Sequence, residues 1–459
     1  MEASNGFRLS QWKQCLAAFA STLMFFPLQV DVWSRLEPEG FLKFIYLVSG
    51  VVSVICGAII AAVCSDCFGR KKTMLASSLF LPFGIAFIFS AHLSNVVQIL
   101  SLIKMFFSLG FTRTAIALYI SEITSINIRQ TAMVLPLVTL PIFQLFGDLA
   151  LRFLTDHFVS DAQDFMLVYQ IKATVFAVIA TLLFSIILLL CPETPYYLNW
   201  RKRCKETERS LSFYTGYKYV RTAELIPEPR GNSRLKAYAQ EWKEKLRAIT
   251  EMKNIRSLGI IFVLILIKWG FRQHLNLQAI YDMLRLYTNI SSFDGLIVSF
   301  AIAIFTSFLV LPVILFARKI FLLAVIVISF IATLIGIWIK SVVILSVLNY
   351  VKFLGHFIFT GVAWSSLGIL FPTNVKAIAI AIGVSLDMLI GSIMSLIEYF
   401  IYQNVNQHGA VYDFIHLPLK SYVDLGTLVV AFILVLIFIP KTIKVQPEGT
   451  FKNYAVVRS

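Results

Sequence analysis

Charged side chains set inside long apolar runs are the residues of this chain best placed to do chemistry. Lys268 and Arg272 precede Asn276 by eight and four residues, a spacing that puts all three on one face of a helix. Arg113 interrupts another apolar run, and Asp148 and Asp387 fall inside two more. A charge at bilayer depth costs about 2.5–3.5 kcal/mol on insertion scales, so it faces a wet cavity or a partner. Two readings stay open. The charges close internal salt bridges, Arg113 with Asp148 or Lys268 with Asp387, or snorkel to an interface. Alternatively the basic groups line a cavity unpaired, where the forked donors of arginine suit a carboxylate or a phosphate. The sequence carries no nucleophile elbow, phosphate-cradling glycine loop or metal-spaced histidine pair, so neither an enzyme nor a cofactor is expected. His408 and His416 share a short loop but lack the spacing of metal ligands.

Transmembrane helices must position these residues. Hydrophobic residues make up 58% of 459 and charged residues 14%, well below the roughly 25% of soluble domains. A mean hydropathy of +0.80 points the same way. About a dozen apolar runs approach the ~20 residues that cross a bilayer as a helix. They lie near 12–33, 43–64, 74–92, 97–121, 131–152, 169–191, 257–281, 292–316, 320–339, 342–366, 376–401 and 422–440. In hydrocarbon each backbone N–H and C=O has to be satisfied within its own span, so the runs read as helices. The first thirteen residues lack the order of a cleavable signal, which makes the first span the insertion signal and keeps the N-terminus cytosolic. Twelve crossings return the C-terminus to the same side.

The net charge of +15 follows this topology. Alternate loops carry Arg70, Lys71 and Lys72, then Arg129, the segment after Trp200, Lys319, Lys376 and Lys441. That bias marks the cytosolic side, and no nucleic-acid surface is expected. The opposite loops are more acidic, and the sequon at Asn289 falls among them as a candidate glycosylation site. All six cysteines lie in spans or on the cytosolic side, so no disulfide framework is expected. A polar insert at 199–256 divides the chain into membrane halves, 1–198 and 257–459 with its short tail. Within the insert, 234–255 reads as a basic helix with Leu235, Tyr238, Trp242, Leu246 and Ile249 at helical spacing.

The halves echo one another. Asp66 to Lys72 after span two pairs weakly with 314–319 after span eight; Tyr119 to Ile123, followed by Arg129, pairs with 368–372 and Lys376. Pro192-Glu193-Thr194-Pro195 closes span six, and Pro440-Lys441-Thr442 closes span twelve. On these residues the chain resembles the sugar porters of the major facilitator superfamily, and among them the insect facilitators for glucose and trehalose. Asp66, Gly69, Arg70 and Lys71 match that family's turn after span two. Tyr119, Glu122 and Arg129 match its span-four ending, and Pro192 to Pro195 its span-six ending.

The resemblance implies an all-α membrane protein of twelve helices in two pseudo-symmetric six-helix bundles. It also implies a cytosolic ion-pair network of Asp66, Gly69, Arg70, Lys71, Glu122, Arg129 and Glu193 that latches the halves when the cavity opens outward. The second half has lost its share, with Ile314, Ala317, Ile369 and Lys441 at the matching positions. A lopsided latch predicts a less favoured outward-open state. Of the family's sugar-binding positions, Asn276, Tyr281 and Trp364 fit; Gly270, Phe271, Gln273 and Leu137 depart, and Asp387 stands where an Asn is usual. The implied activity is carriage of a small polar solute, a hexose or disaccharide, across the plasma membrane by facilitated diffusion, with no oligomer required. The candidate substrate residues are Asn276, Gln273, Tyr281, Trp364, Asp387, Arg272, Lys268 and Arg113. A carrier of an organic anion or sugar phosphate, and a non-transporting sensor of the same build, are the competing readings. Coupling to protons would need Asp148 or Asp387 unpaired.

Overall fold

The structure is a computed structural model. It describes residues 12–22, 41–88, 95–125, 128–136, 178–179, 181–215, 221–222, 234–271, 304–305, 308–309, 311, 319–339, 342–403, 418–441 and 454–455. Its helices are α1 (Trp12–Thr22), α2 (Phe41–Phe68), α3 (Arg70–Ile88), α4 (Asn95–Ile123), α5 (128–136) and α6 (Thr181–Leu190). Next come α7 (Pro195–Trp200), α8 (Cys204–Thr215) and α9 (Arg234–Ile249), then α10 (Met252–Phe271), α11 (Lys319–Trp338), α12 (Val342–Ile369), α13 (Lys376–Gln403) and α14 (Pro418–Phe438). A two-residue strand β1 (Arg221–Thr222) pairs antiparallel with β2 (Tyr454–Ala455), tying the insert to the C-terminal tail.

Within α2, α4, α10, α11 and α13 lie five stretches long and apolar enough to cross a membrane, among the described residues. The sides of these helices are inverted relative to a soluble protein. On α4, Ser101, Ser108, Thr112, Thr114 and Ser121 are fully buried, while Ile320, Phe321, Ile328 and Ile331 on α11 are exposed. That arrangement suits hydrocarbon outside and polar contacts within. Three of these hydroxyls are met inside their own helix, Ser101 donating to the Val97 carbonyl, Ser108 to Lys104 and Ser121 to Leu118, whereas those of Thr112 and Thr114 have no hydrogen-bond partner among the described residues.

Small residues let the helices approach closely. A Cβ on Gly57 of α2 would lie 2.1 Å from the Phe107 carbonyl oxygen, and one on Gly110 of α4 2.2 Å from that of Val54. In lipid, where apolar surface alone gives helices little reason to associate, such backbone-to-backbone packing drives contact. α2 packs on α4 and α3 on α4, α10 on α12, and α11 on α14. α13 lies against both α2 and α4, so chain before and after the insert meets directly.

Several helices outrun the apolar runs that announced them. α2 extends to Phe68, α3 begins at Arg70, and α10 begins at Met252, five residues before its expected span. Polar first and last turns continue a helix into the aqueous face, where hydropathy no longer marks it. The basic insert helix ends at Ile249, because the chain turns at Thr250 and Glu251 before α10 starts. α7 runs across the expected boundary between 198 and 199.

Candidate functional site

Polar contacts concentrate in two places, at the end of the helices that carries the insert and midway along them. At the insert end the chain reverses between α2 and α3 at Gly69, whose φ of +107° is left-handed backbone that glycine adopts without strain. Its missing side chain also leaves room for Glu193, since a Cβ there would lie 2.4 Å from Glu193 Oε2. The Glu193 carboxylate caps α3, accepting from the Lys71 backbone N–H at 2.9 Å and from its own neighbour Thr194 N–H at 2.9 Å. Burial nevertheless pushes the Glu193 carboxyl above the usual carboxylate range, and those two backbone bonds offset only part of it.

Each residue of Pro192-Glu193-Thr194-Pro195 has a separate role. The Pro192 carbonyl accepts from Tyr214 Oη at 2.9 Å. Thr194 is the N-cap of α7, with Pro195 in its first turn, and its hydroxyl donates to Glu122 Oε2 at 2.8 Å. Glu122 in turn accepts from Arg70 Nε at 2.9 Å and Nη2 at 2.9 Å. Arg70, only 2% exposed, also reaches Asp66 at 3.2 Å and the Ser65 carbonyl at 3.0 Å. A buried guanidinium requires this degree of satisfaction, since an unpaired charge there costs several kcal/mol. Lys245 of α9 closes the other oxygen of Asp66 at 2.8 Å, and Arg201 donates to the Asp66 and Cys67 carbonyls that end α2. Trp200 lies against both cations, each 4.6 Å from its ring.

Thus Asp66, Gly69, Arg70, Lys71, Glu122 and Glu193 come together in one cluster. Arg129, 1% exposed on α5, donates to the Thr124 carbonyl at 3.1 Å, while the partners of Glu122 are Arg70 and Thr194. Lys245 and Arg201 were not singled out in the sequence, where the general basic excess of the insert hides them. At the same end of the molecule chain from either side of the insert meets: Met133 of α5 lies under Gly368 of α12, and Tyr196 lies near Thr373.

The second cluster is built on α4, α10 and α13. Arg113 lies ten residues before the end of α4 and Asp387 eleven after the start of α13, about 15 Å from the insert-facing ends. Lys268 sits about 24 Å along α10. Asp387 Oδ1 accepts from Lys268 Nζ at 2.6 Å and from Trp269 Nε1 at 2.8 Å. Arg113 Nη1 approaches the other oxygen, Oδ2, at 3.9 Å and the Met388 sulfur at 4.0 Å. The ammonium of Lys268 lies 5.0 Å from the Trp269 ring. Gly391 on α13 admits that indole, for a Cβ there would meet Trp269 at 2.2 Å.

Behind this cluster His356 Nδ1 bonds the Lys268 carbonyl at 2.9 Å, and Thr360 lies one turn further along α12. Trp364, a further turn on, is half-buried. Trp269, His356 and Thr360 carry no charge signal in an apolar run, and sequence reasoning passed over them. Arg272, Gln273, Asn276, Tyr281, Asn289 and Asp148 lie outside the described residues. A second deep pair, Lys352 with Asp424 at 3.0 Å, joins α12 to α14.

The family profile described as sugar (and other) transporter matches residues 41–450. No curated protein matches the chain. Among solved structures, the proton:xylose symporter XylE bound to 6-bromo-6-deoxy-D-glucose is similar, with a TM-score of 0.68 and 17% identity over 95% of this chain and 97% of that one. The inward open conformation of XylE from E. coli gives a TM-score of 0.58 at 17% identity, covering 96% and 98%. The human organic anion transporter MFSD10 gives 0.52 at 14% identity, covering 93% and 98%. At such identities the likeness speaks for the fold.

Proposed function

This chain belongs to the sugar (and other) transporter family, and on that premise we propose that it carries a small polar solute of the sugar class across a membrane by alternating access. In this reading twelve helices form two six-helix halves, 1–198 and 257–459, that rock about a site near mid-depth. The insert at 199–256 and both termini face the cytosol, and the plasma membrane is the membrane crossed. The observation that carries the reading is the juxtaposition of Arg113 with Lys268 and Asp387 at mid-depth, from chain on either side of the insert, in a family whose profile spans 41–450.

Trp364 lines the pathway together with that cluster, and Arg272, Gln273, Asn276 and Tyr281 continue the same wall. Asp66, Gly69, Arg70, Lys71, Glu122, Arg129 and Glu193 brace the first-half side of the cytosolic gate. Facilitated diffusion is favoured over proton coupling because Asp387 is already paired with an ammonium and an indole N–H. The test is uptake of labelled hexose and disaccharide by sealed vesicles containing the purified chain. Saturable flux that unlabelled sugar inhibits is expected; flux no greater than in protein-free vesicles for every solute of the panel would defeat the reading.

A further inference from the structure

The three charges at mid-depth are not equally satisfied. Asp387 and Lys268 form a tight pair at 2.6 Å, reinforced by the Trp269 N–H at 2.8 Å. Arg113 is held far more loosely. Among the described residues its nearest carboxylate oxygen is 3.9 Å away, beyond hydrogen-bond distance, and its one hydrogen-bond contact is the weak acceptor sulfur of Met388. Its side chain is 28% exposed at a depth where Ala115, Ile116 and Thr112 beside it on α4 are buried. Its guanidinium approaches α13, across the junction of the chain before and after the insert.

We propose that Arg113 is the anchor for the carboxylate of an acidic sugar, with Lys268 and Trp269 holding Asp387 aside as a fixed counter-charge. The proposal rests on the carrier reading and names its substrate class. A planar carboxylate matches two parallel N–H donors of arginine, the donors that Asp387 leaves unmet. Charge balance then selects between anions. Among the described residues Lys268, Arg113 and Asp387 sum to one positive charge, so a monoanion neutralises this cluster, whereas a phosphate dianion would need a further cation such as Arg272, which lies outside the described residues. The hydroxyls of the sugar have polar neighbours at hand, since His356, Thr360 and Trp364 recur at one-turn spacing on α12, and His356 already touches the Lys268 backbone. Asp387 cannot follow Arg113 far, because its other oxygen is committed to α10. A solute carboxylate entering between α4 and α13 therefore bonds Arg113 without breaking the tight pair.

Binding of D-glucuronate, D-glucose and glucose 6-phosphate to the purified full-length protein, followed by calorimetry, tests this directly. Glucuronate is expected to bind at least tenfold more tightly than glucose, with glucose 6-phosphate weaker than glucuronate. Arg113→Gln should abolish that preference, and Arg113→Lys should restore part of it, a split that a merely structural role would not produce. Glucose binding as tightly as glucuronate in the unaltered protein overturns the proposal, and so does an unchanged preference in Arg113→Gln. If Arg113→Gln fails to fold, the ratio in the unaltered protein still decides. Saturable glucose flux in vesicles without glucuronate binding sinks this inference and spares the carrier; glucuronate binding with no flux of any solute spares Arg113 and sinks the carrier.

Discussion

Asp387 draws a cation from each side of the insert, and its removal would strand both. In Asp387→Asn, Lys268 and Arg113 remain at mid-depth without their shared carboxylate, and a loss of about 3–5 kcal/mol of stability is expected. It should appear as a lowered unfolding temperature in detergent, while the pair Lys268→Met with Asp387→Leu, which strands only the loosely held Arg113, should lose less. An unchanged temperature for Asp387→Asn alone would contradict the pairing. Glu193 behaves in the opposite sense. Burial raises its carboxyl above the usual range, so the folded state binds its proton more readily than the unfolded chain, and its contribution to stability falls as pH rises from the unfolded value through the folded one. Glu193→Gln, which keeps an oxygen for the Lys71 and Thr194 N–H groups, should flatten this fall just above the ordinary carboxylate range without loss of stability at neutral pH. The sequence made the Lys268–Asp387 pair readable, because opposite charges in apolar runs have few places to go. It offered Asp148, which lies outside the described residues, as the partner of Arg113 and missed the approach of Asp387, since that depends on α13 lying against α4, a contact no local pattern encodes.

Between elements, the α2–α3 reversal and the α2–α4 crossing are the most exacting contacts. Gly69→Ala places a side chain in left-handed backbone and against Glu193, so a loss of about 1–3 kcal/mol is expected from thermal unfolding. Gly110→Ala pushes a methyl group towards the Val54 carbonyl and must separate α2 from α4, a loss of similar size, about 1–3 kcal/mol. Wild-type melting for both would show that the helices have room the structure denies them. The apolar runs located α11, α12 and α13 well, because a bilayer forces hydrophobic length on a helix. Where helices leave the apolar zone, as at Met252 or Phe68, capping and turns decide, and there the runs fell short. The insert stripe was readable as a packing face at Trp242 and Ile249, but Leu246 is exposed and the contact that matters most, Lys245 on Asp66, comes from the polar side.

At the level of the whole molecule, the ion pairs of Asp66, Arg70 and Glu122 close among α2, α3, α4 and the insert, while Met133 beneath Gly368 and Tyr196 on Thr373 join chain from either side of the insert. Opening that face would therefore part packed surfaces while leaving these three charges paired. Single cysteines introduced on the insert side of the cavity should label readily from that side; labelling confined to the opposite side would count against an easily opened insert face. The fold and the family were legible because motif spacing survives when side chains drift, whereas the solute was not, because Gly270 and Phe271 replace the two glutamines expected on span seven. The central claim is that one site is offered to each compartment in turn, and solute counterflow tests it most directly. Vesicles holding the purified chain and loaded with unlabelled solute should take up external labelled solute to a transient level above equilibrium. A monotonic approach to equilibrium, unaffected by what is loaded inside, would contradict it.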